Sequence, residues 1–171
     1  MPERPYKATQ IGTLFHSWVE ERYGLGGTSE ELDALGFELD DGDAAGDAEL
    51  VRLQDTFARS IWAGRKPIDV EREIHLPFDG RIVICKIDAV YFDGDRYQVV
   101  DWKTGKAPKD AADLERKQLQ LALYRLAYAR WAGVSPDLID AVFYFVADDA
   151  VVTPDRIFDE AELLALWREN V

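Results

Sequence analysis

The sequence predicts an α/β fold in which helices cover both faces of a mixed β-sheet. Apolar residues recur at helical spacing up to position 62, and the pattern changes to period two after Pro67. The order of predicted elements is two helices, three strands, a helix, a strand and a helix, which suggests a mixed sheet with helices on both faces. The 171 residues, 47% of them hydrophobic, are enough for one domain with its own core.

Two helices are predicted before the strands, over residues 9–23 and 47–62, because their apolar side chains recur every three or four positions. Thr9 is the predicted N-cap of the first helix. Residues 24–47 are rich in glycine and acidic side chains, which predicts a solvated connection. One short helix is expected within it, over residues 30–35.

The remaining elements follow in order. Alternating apolar and polar side chains predict three strands, over residues 68–76, 81–92 and 96–103. A loop, a long helix, a buried strand, its short hairpin partner and a closing helix are predicted over residues 104–110, 113–131, 138–147, 151–153 and 159–168. The tripeptide Asp93-Gly94-Asp95 is a tight-turn signal, so the second and third strands should form an antiparallel hairpin.

The hairpin determines where two acidic side chains lie. If Gly94 and Asp95 are the central turn residues, Asp88 lies opposite Asp101 with Cβ atoms ~5 Å apart. A turn shifted by one residue would place the two acids on opposite faces. Two carboxylates this close in an apolar sheet are costly unless cations neutralise them. Lys103, on the same predicted face as Asp101, supplies one positive charge, and hard oxygen ligands suit Mg²⁺ or Mn²⁺.

Four short motifs occur in an order that resembles one enzyme family. They are Gly12-Thr13-Leu14-Phe15-His16, Ile87-Asp88-Ala89-Val90, Val100-Asp101-Trp102-Lys103-Thr104-Gly105 and Gln120-Leu121-Ala122-Leu123-Tyr124. The chain resembles the PD-(D/E)XK nucleases of the RecB type, in particular the nuclease modules at the C-termini of bacterial helicase–nucleases of the RecB, AddAB and AdnAB kinds. The resemblance covers residues 9–147 and implies a restriction-endonuclease-like fold.

The resemblance also implies which residues carry the chemistry. The implied metal ligands for Mg²⁺ or Mn²⁺ are His16, Asp88, Asp101 and the carbonyl of Trp102. Lys103 would be the catalytic lysine, acting together with the two aspartates. Gln120 and Tyr124 lie four positions apart on a helix and therefore share a face, which would hold that helix against the site or the DNA.

Other charged residues leave two interpretations open. The basic side chains of Lys106, Lys109, Arg116 and Lys117 either contact the DNA backbone or form a solvated face. Glu20, one helical turn after His16, either approaches the metal or is a solvated charge. The acidic run over residues 30–49 is either a solvated loop or a patch that repels DNA or binds a partner.

The charge is distributed unevenly along the chain. The formal net charge is −13 for the whole chain, with −10 over residues 20–55, −7 over residues 131–171 and +4 over residues 96–130. Bulk electrostatics therefore disfavours nucleic-acid binding. DNA would have to be held by the basic segment, with metal ions or a partner protein assisting.

The resemblance to RecB-type nucleases implies a metal-dependent deoxyribonuclease domain, an exonuclease or endonuclease. Its expected substrate is single-stranded DNA, delivered by a UvrD-like helicase motor in double-strand break repair and recombination. A non-catalytic DNA-binding or scaffolding module on the same fold is the alternative, and a free-standing nuclease is a third possibility. No Walker A motif occurs, so no ATP motor is expected within residues 1–171. The resemblance to helicase–nucleases then implies that residues 1–171 are one nuclease domain excised from a larger protein that carries the motor.

Composition excludes several other classes of protein. Cys85 is the only cysteine, which rules out a disulfide framework and a four-cysteine iron–sulfur cluster. No apolar run approaches the ~20 residues of a membrane span, and the first ten residues do not read as a secretory leader. A cytoplasmic domain without membrane contact is therefore expected.

Overall fold

The computed structural model describes residues 5–23, 44–154 and 156–169. The described helices are α1 (Pro5–Arg22), α2 (Ala44–Ala58), α3 (Ala111–Ala132) and α4 (Glu160–Glu169). The strands are β1 (Asp69–Phe78), β2 (Arg81–Phe92), β3 (Tyr97–Lys103), β4 (Ile139–Phe145) and β5 (Ala150–Val152). Two short 3₁₀ helices cover Pro136–Leu138 and Val146–Asp148.

The five strands form one mixed sheet in the order β1-β2-β3-β4-β5. Strand β2 pairs antiparallel with both β1 and β3. The predicted α/β class is therefore confirmed, and the central hairpin of the prediction is the β2–β3 pair.

The chain divides into two compact units. The first comprises Met1–Lys66, Trp102–Lys106 and Phe145–Ala150. The second comprises Pro67–Asp101, Ala107–Tyr144 and Val151–Val171. Helices α1 and α2 thus belong to the first unit, and β1, β2, α3 and α4 to the second.

Aromatic side chains form the core of the first unit. The ring of Phe57 on α2 lies 5.9 Å from Phe15 and 5.2 Å from Trp102, centroid to centroid. Trp62 lies 5.8 Å from Trp102, and all four rings are at most 1% exposed. Each such ring contributes ~1.5–3 kcal/mol through burial, so this cluster fixes the end of β3 that carries Trp102.

In the second unit, helix α3 packs on β1, β2 and α4. Its N-cap is Asp110, whose carboxylate accepts a hydrogen bond from the backbone N–H of Asp113 at 2.8 Å. Its C-cap is Gly133, whose φ of 71° is left-handed. These two caps explain why α3 is longer at both ends than the predicted 113–131.

The start of α1 was predicted wrongly. The helix begins at Pro5, so Thr9 lies inside α1 and is not its N-cap. Proline is well tolerated at the first helical position, because a backbone N–H there would have no partner within the helix and its absence therefore costs nothing.

The bounds of the second helix were also predicted wrongly. Residues 44–47, predicted as the end of the connection, form the first turn of α2. The negative charge of Asp47 in this turn interacts favourably with the positive end of the helix dipole. Helix α2 then ends at Ala58, so the last residues of the predicted range 47–62 lie outside it, and Ile61 among them is 66% exposed. The rest of the connection and the short helix predicted over residues 30–35 lie outside the described residues.

Candidate active site

Two buried aspartates face each other across the β2–β3 hairpin. The register pairs Ala89 with Val100, so one step further along the same register places Asp88 opposite Asp101. Asp88 is 7% exposed and Asp101 4% exposed. The register predicted from the sequence is therefore confirmed, and both acids lie on one face of the hairpin.

The turn that sets this register is built by Asp93. Its Oδ1 atom accepts hydrogen bonds from the backbone N–H groups of Asp95 at 3.2 Å and Arg96 at 2.9 Å. Its own N–H donates to the carbonyl of Arg96 at 3.2 Å. Gly94 has a φ of 104°, which an L-residue rarely adopts, so glycine is required at this position of the turn.

The paired carboxylates are a donor set that suits a divalent cation. Two carboxylates held close in an apolar sheet repel each other unless a positive charge intervenes. Mg²⁺ is commonly bound by one or two protein carboxylates, with waters and substrate phosphates completing its octahedron. Within the described ranges, no three His, Cys, Asp or Glu side chains come together as a metal cluster. The aspartate pair is thus the set of side-chain donors that the geometry itself assembles.

Helix α3 presents Gln120 and Tyr124 to these carboxylates. The Nε2 group of Gln120 donates a hydrogen bond to the Tyr124 hydroxyl at 2.9 Å. Burial first, then the negative charge of Asp101 and a smaller effect of Asp88, raise the pKa of Tyr124 to about 12. The hydroxyl therefore lies within electrostatic reach of both acids and stays protonated at neutral pH.

Strand β3 ends at Lys103, two residues after Asp101. Between them, Trp102 is 1% exposed and is locked by its ring contacts with Phe57 and Trp62. Because side chains alternate along a strand, burial of Trp102 directs the half-buried Lys103 side chain the opposite way.

Helix α1 holds His16 through its own backbone. The Nδ1 atom lies 2.7 Å from the carbonyl oxygen of Gly12. Since a carbonyl only accepts, Nδ1 carries the proton, and the neutral ring then has its lone pair at Nε2. Metal-binding histidines commonly donate their other ring N–H in this manner, so the G-x-x-x-H spacing has a direct structural reason.

The predicted site residues divide between the two units. The first unit contains His16, Trp102, Lys103 and Lys106, and the second contains Asp88, Asp101, Lys109, Arg116, Lys117, Gln120 and Tyr124.

Arg116 and Lys117 lie 3.6 Å and 3.3 Å from the carboxylate of Asp113, which offsets part of their charge. Lys106 is exposed and Glu20 is half-buried.

Sequence reasoning missed a hydrogen-bond network one helical turn along α3 from Tyr124. The hydroxyl of buried Tyr128 donates to Oδ2 of Asp69 at 2.9 Å. Oδ1 of Asp69 accepts from Arg72, at 2.7 Å from Nη2 and 3.1 Å from Nε. The available signal was the spacing of four between Tyr124 and Tyr128, which places both on one face of α3.

A kink in β1 accompanies this network. Glu71 has a left-handed φ of 49°, and the β1–β2 ladder skips the pair it would form with Asp88. Arg72, three residues after Asp69, therefore also reaches α3, where its guanidinium lies 4.6 Å from the centroid of the Trp131 ring. Strand periodicity of two does not predict that side chains three apart contact the same helix.

Comparison with known families identifies the chain. The family model of the PD-(D/E)XK nuclease superfamily matches residues 1–171. The chain belongs to this superfamily. Its α/β architecture is accordingly the restriction-endonuclease-like fold. No individually curated protein matches the chain significantly.

Membership in the PD-(D/E)XK superfamily implies a nuclease that acts on DNA, and these nucleases generally use divalent metal ions such as Mg²⁺. The buried aspartate pair is consistent with that requirement. Burial raises the pKa of the Cys85 thiol to about 11, which makes it a poor ligand at neutral pH. None of the described helices is both long and apolar enough to cross a membrane.

Proposed function

We propose that this chain is a Mg²⁺- or Mn²⁺-dependent deoxyribonuclease domain of the RecB type. Its substrate is single-stranded DNA, delivered by a UvrD-like helicase motor on the same or a partner polypeptide during double-strand break repair and recombination. The observation that carries the proposal is the buried Asp88–Asp101 pair, followed on β3 by Lys103, in a member of a nuclease superfamily.

In this proposal each site residue has a separate function. Asp88 and Asp101 hold the divalent ion, with Nε2 of His16 and the carbonyl of Trp102 as further ligands. When bound, the ion supplies Lewis-acid chemistry, which polarises a phosphate and lowers the pKa of water. Lys103 orients the attacking water and offsets the negative charge that develops on the phosphate.

Helix α3, which carries the motif from Gln120 to Tyr124, would position the substrate. The Tyr124 hydroxyl is protonated, and Gln120 supports it by donating a hydrogen bond. A protonated hydroxyl beside two carboxylates donates to an anion and does not add a third negative charge. Lys106, Arg116 and Lys117 would contact the DNA backbone next to it, within the +4 segment of residues 96–130.

The acid pair is tested by two isosteric variants. We expect Asp88→Asn and Asp101→Asn each to lower Mn²⁺-dependent cleavage of a labelled single-stranded oligonucleotide by ~10² or more. Both should melt in EDTA at the same temperature as wild type or higher, because one of two facing negative charges is removed. The matched control is Asp95→Asn, an exposed acid in the turn of the same hairpin. Full cleavage by either variant, with the control also active, would contradict the assignment of Asp88 and Asp101 to the site.

The non-catalytic alternative gives a different result in the same experiment. A DNA-binding or scaffolding module would bind the oligonucleotide, and wild type, control and variants would all leave it intact. Added Mn²⁺ would then leave the melting temperature of wild type unchanged, whereas a metal-dependent nuclease is stabilised by the ion it binds.

A further inference from the structure

Gly12 lies inside α1 at a position where its backbone does not require glycine. It has no positive φ, unlike Gly80, Gly94 and Gly133. A glycine in the interior of a helix costs ~1 kcal/mol relative to alanine. Some other constraint must therefore favour glycine at this position.

The constraint is close approach to the segment that follows β3. A Cβ atom added to Gly12 would lie 3.3 Å from Oγ1 of Thr104, closer than an ordinary van der Waals contact. Thr104 is half-buried and directly follows Lys103. Gly12 and Thr104 both lie in the first unit. Their close approach therefore connects α1, which carries His16, to the segment that contains Lys103.

The same residue also holds the imidazole. The Gly12 carbonyl accepts the Nδ1–H of His16 at 2.7 Å. If α1 moves away from Thr104, it carries the carbonyl and the ring with it. A hydrogen bond of this kind sets the orientation of the ring and raises the basicity of Nε2.

We infer that Gly12 is a positioning residue, whose close approach to Thr104 places His16 relative to the Trp102–Lys106 segment. The inference rests on the proposed function, in which His16 supplies Nε2 to the divalent ion. The glycine of the motif then has two tasks, because its missing side chain admits Thr104 and its carbonyl fixes the histidine tautomer.

A rescue experiment tests the inference on the full chain, with Mn²⁺ affinity measured by calorimetry as the readout besides cleavage. Gly12→Ala should weaken Mn²⁺ binding ~10-fold, the lower end of the loss seen when a supporting hydrogen bond of a metal ligand is disturbed. Thr104→Ala alone should bind like wild type. The double variant Gly12→Ala/Thr104→Ala should regain most of the lost affinity, because the clashing oxygen is gone.

Two controls separate the outcomes. Gly64→Ala, whose added Cβ would have no neighbour nearer than the Ile61 carbonyl at 4.0 Å, should bind Mn²⁺ normally. If His16→Ala binds Mn²⁺ as tightly as wild type, the ligand role of His16 fails and the inference fails with it. If His16→Ala weakens binding while Gly12→Ala does not, or if removing the Thr104 hydroxyl gives no rescue, the inference alone is overturned.

Discussion

Among single residues, the charges at the site act in opposite directions. The facing carboxylates of Asp88 and Asp101 repel each other, so a cation bound between them, as proposed, would stabilise the fold by mass action. In the proposed site Lys103 carries the opposite charge, which would repel a cation and would stabilise the negative charge that develops on a phosphate. Loss of an aspartate and loss of the lysine should therefore have different effects on metal binding.

The prediction for Lys103→Gln follows from this difference. Mn²⁺ affinity should stay unchanged or rise, while the single-turnover rate of cleavage falls ~10² or more, the scale of losing one electrostatic stabiliser. Calorimetric titration beside single-turnover kinetics measures both quantities. Lys66→Gln, an exposed lysine outside the site, is the control. A variant that loses Mn²⁺ binding but cleaves normally once saturated would refute the catalytic role of Lys103.

The sequence predicted the placement of the acids well because local rules decide it. A two-residue turn and strict alternation along two strands are enough to place Asp88 opposite Asp101. The hydrogen bond from His16 to the Gly12 carbonyl is equally local, since both residues lie one turn apart on α1. It was still not predicted, because a helix sequence does not reveal the rotamer of the ring.

Among the secondary-structure elements, α3 and β1 are joined by buried polar contacts. Asp69 accepts from Tyr128 on α3 and from Arg72 beyond the kink. Burial, then the hydrogen bond and negative charge of Asp69, raise the pKa of Tyr128. The tyrosine thus stays a donor, and the bond lies one helical turn from Tyr124.

Removing that donor should destabilise the second unit. Tyr128→Phe leaves a buried carboxylate oxygen with one donor fewer, which costs ~1–3 kcal/mol in the free energy of unfolding. Urea denaturation measures the loss. The matched control is Tyr97→Phe, because the Tyr97 ring packs against Tyr128 while Tyr97 lies outside the Asp69 network. Equal stability of Tyr128→Phe and wild type would show that the hydrogen bond contributes nothing net.

These contacts explain which elements the sequence predicted less well. Strand periodicity correctly predicts that β1 exists. It does not predict the left-handed backbone conformation of Glu71, which changes which side chains of β1 reach α3. The bounds of α3 depend on capping by Asp110 and Gly133, which extend it beyond its apolar stripe. Both deviations arise from backbone conformation at single residues, where hydrophobic patterning carries no information.

For the whole molecule, the distribution of charge opposes the function that the family implies. A chain at −13 must bind a polyanion through a segment at +4, between flanks at −10 and −7. Two of its basic residues, Arg116 and Lys117, also lie beside Asp113. Delivery of the strand by a tethered motor would compensate, since tethering raises the effective concentration to the millimolar range or so.

The last prediction is that the free chain binds single-stranded DNA weakly and in a salt-dependent manner. If about three phosphates are neutralised, the log–log slope of affinity against salt should be near −2, at ~0.7 per contact. Anisotropy of a labelled oligonucleotide in EDTA, over roughly 25–200 mM salt, gives the slope without cleavage. Replacing Lys106, Arg116 and Lys117 by glutamine should flatten it by ~0.7 each, whereas Lys66→Gln leaves it unchanged. Tight binding that ignores salt would favour a free-standing nuclease that captures DNA without a motor.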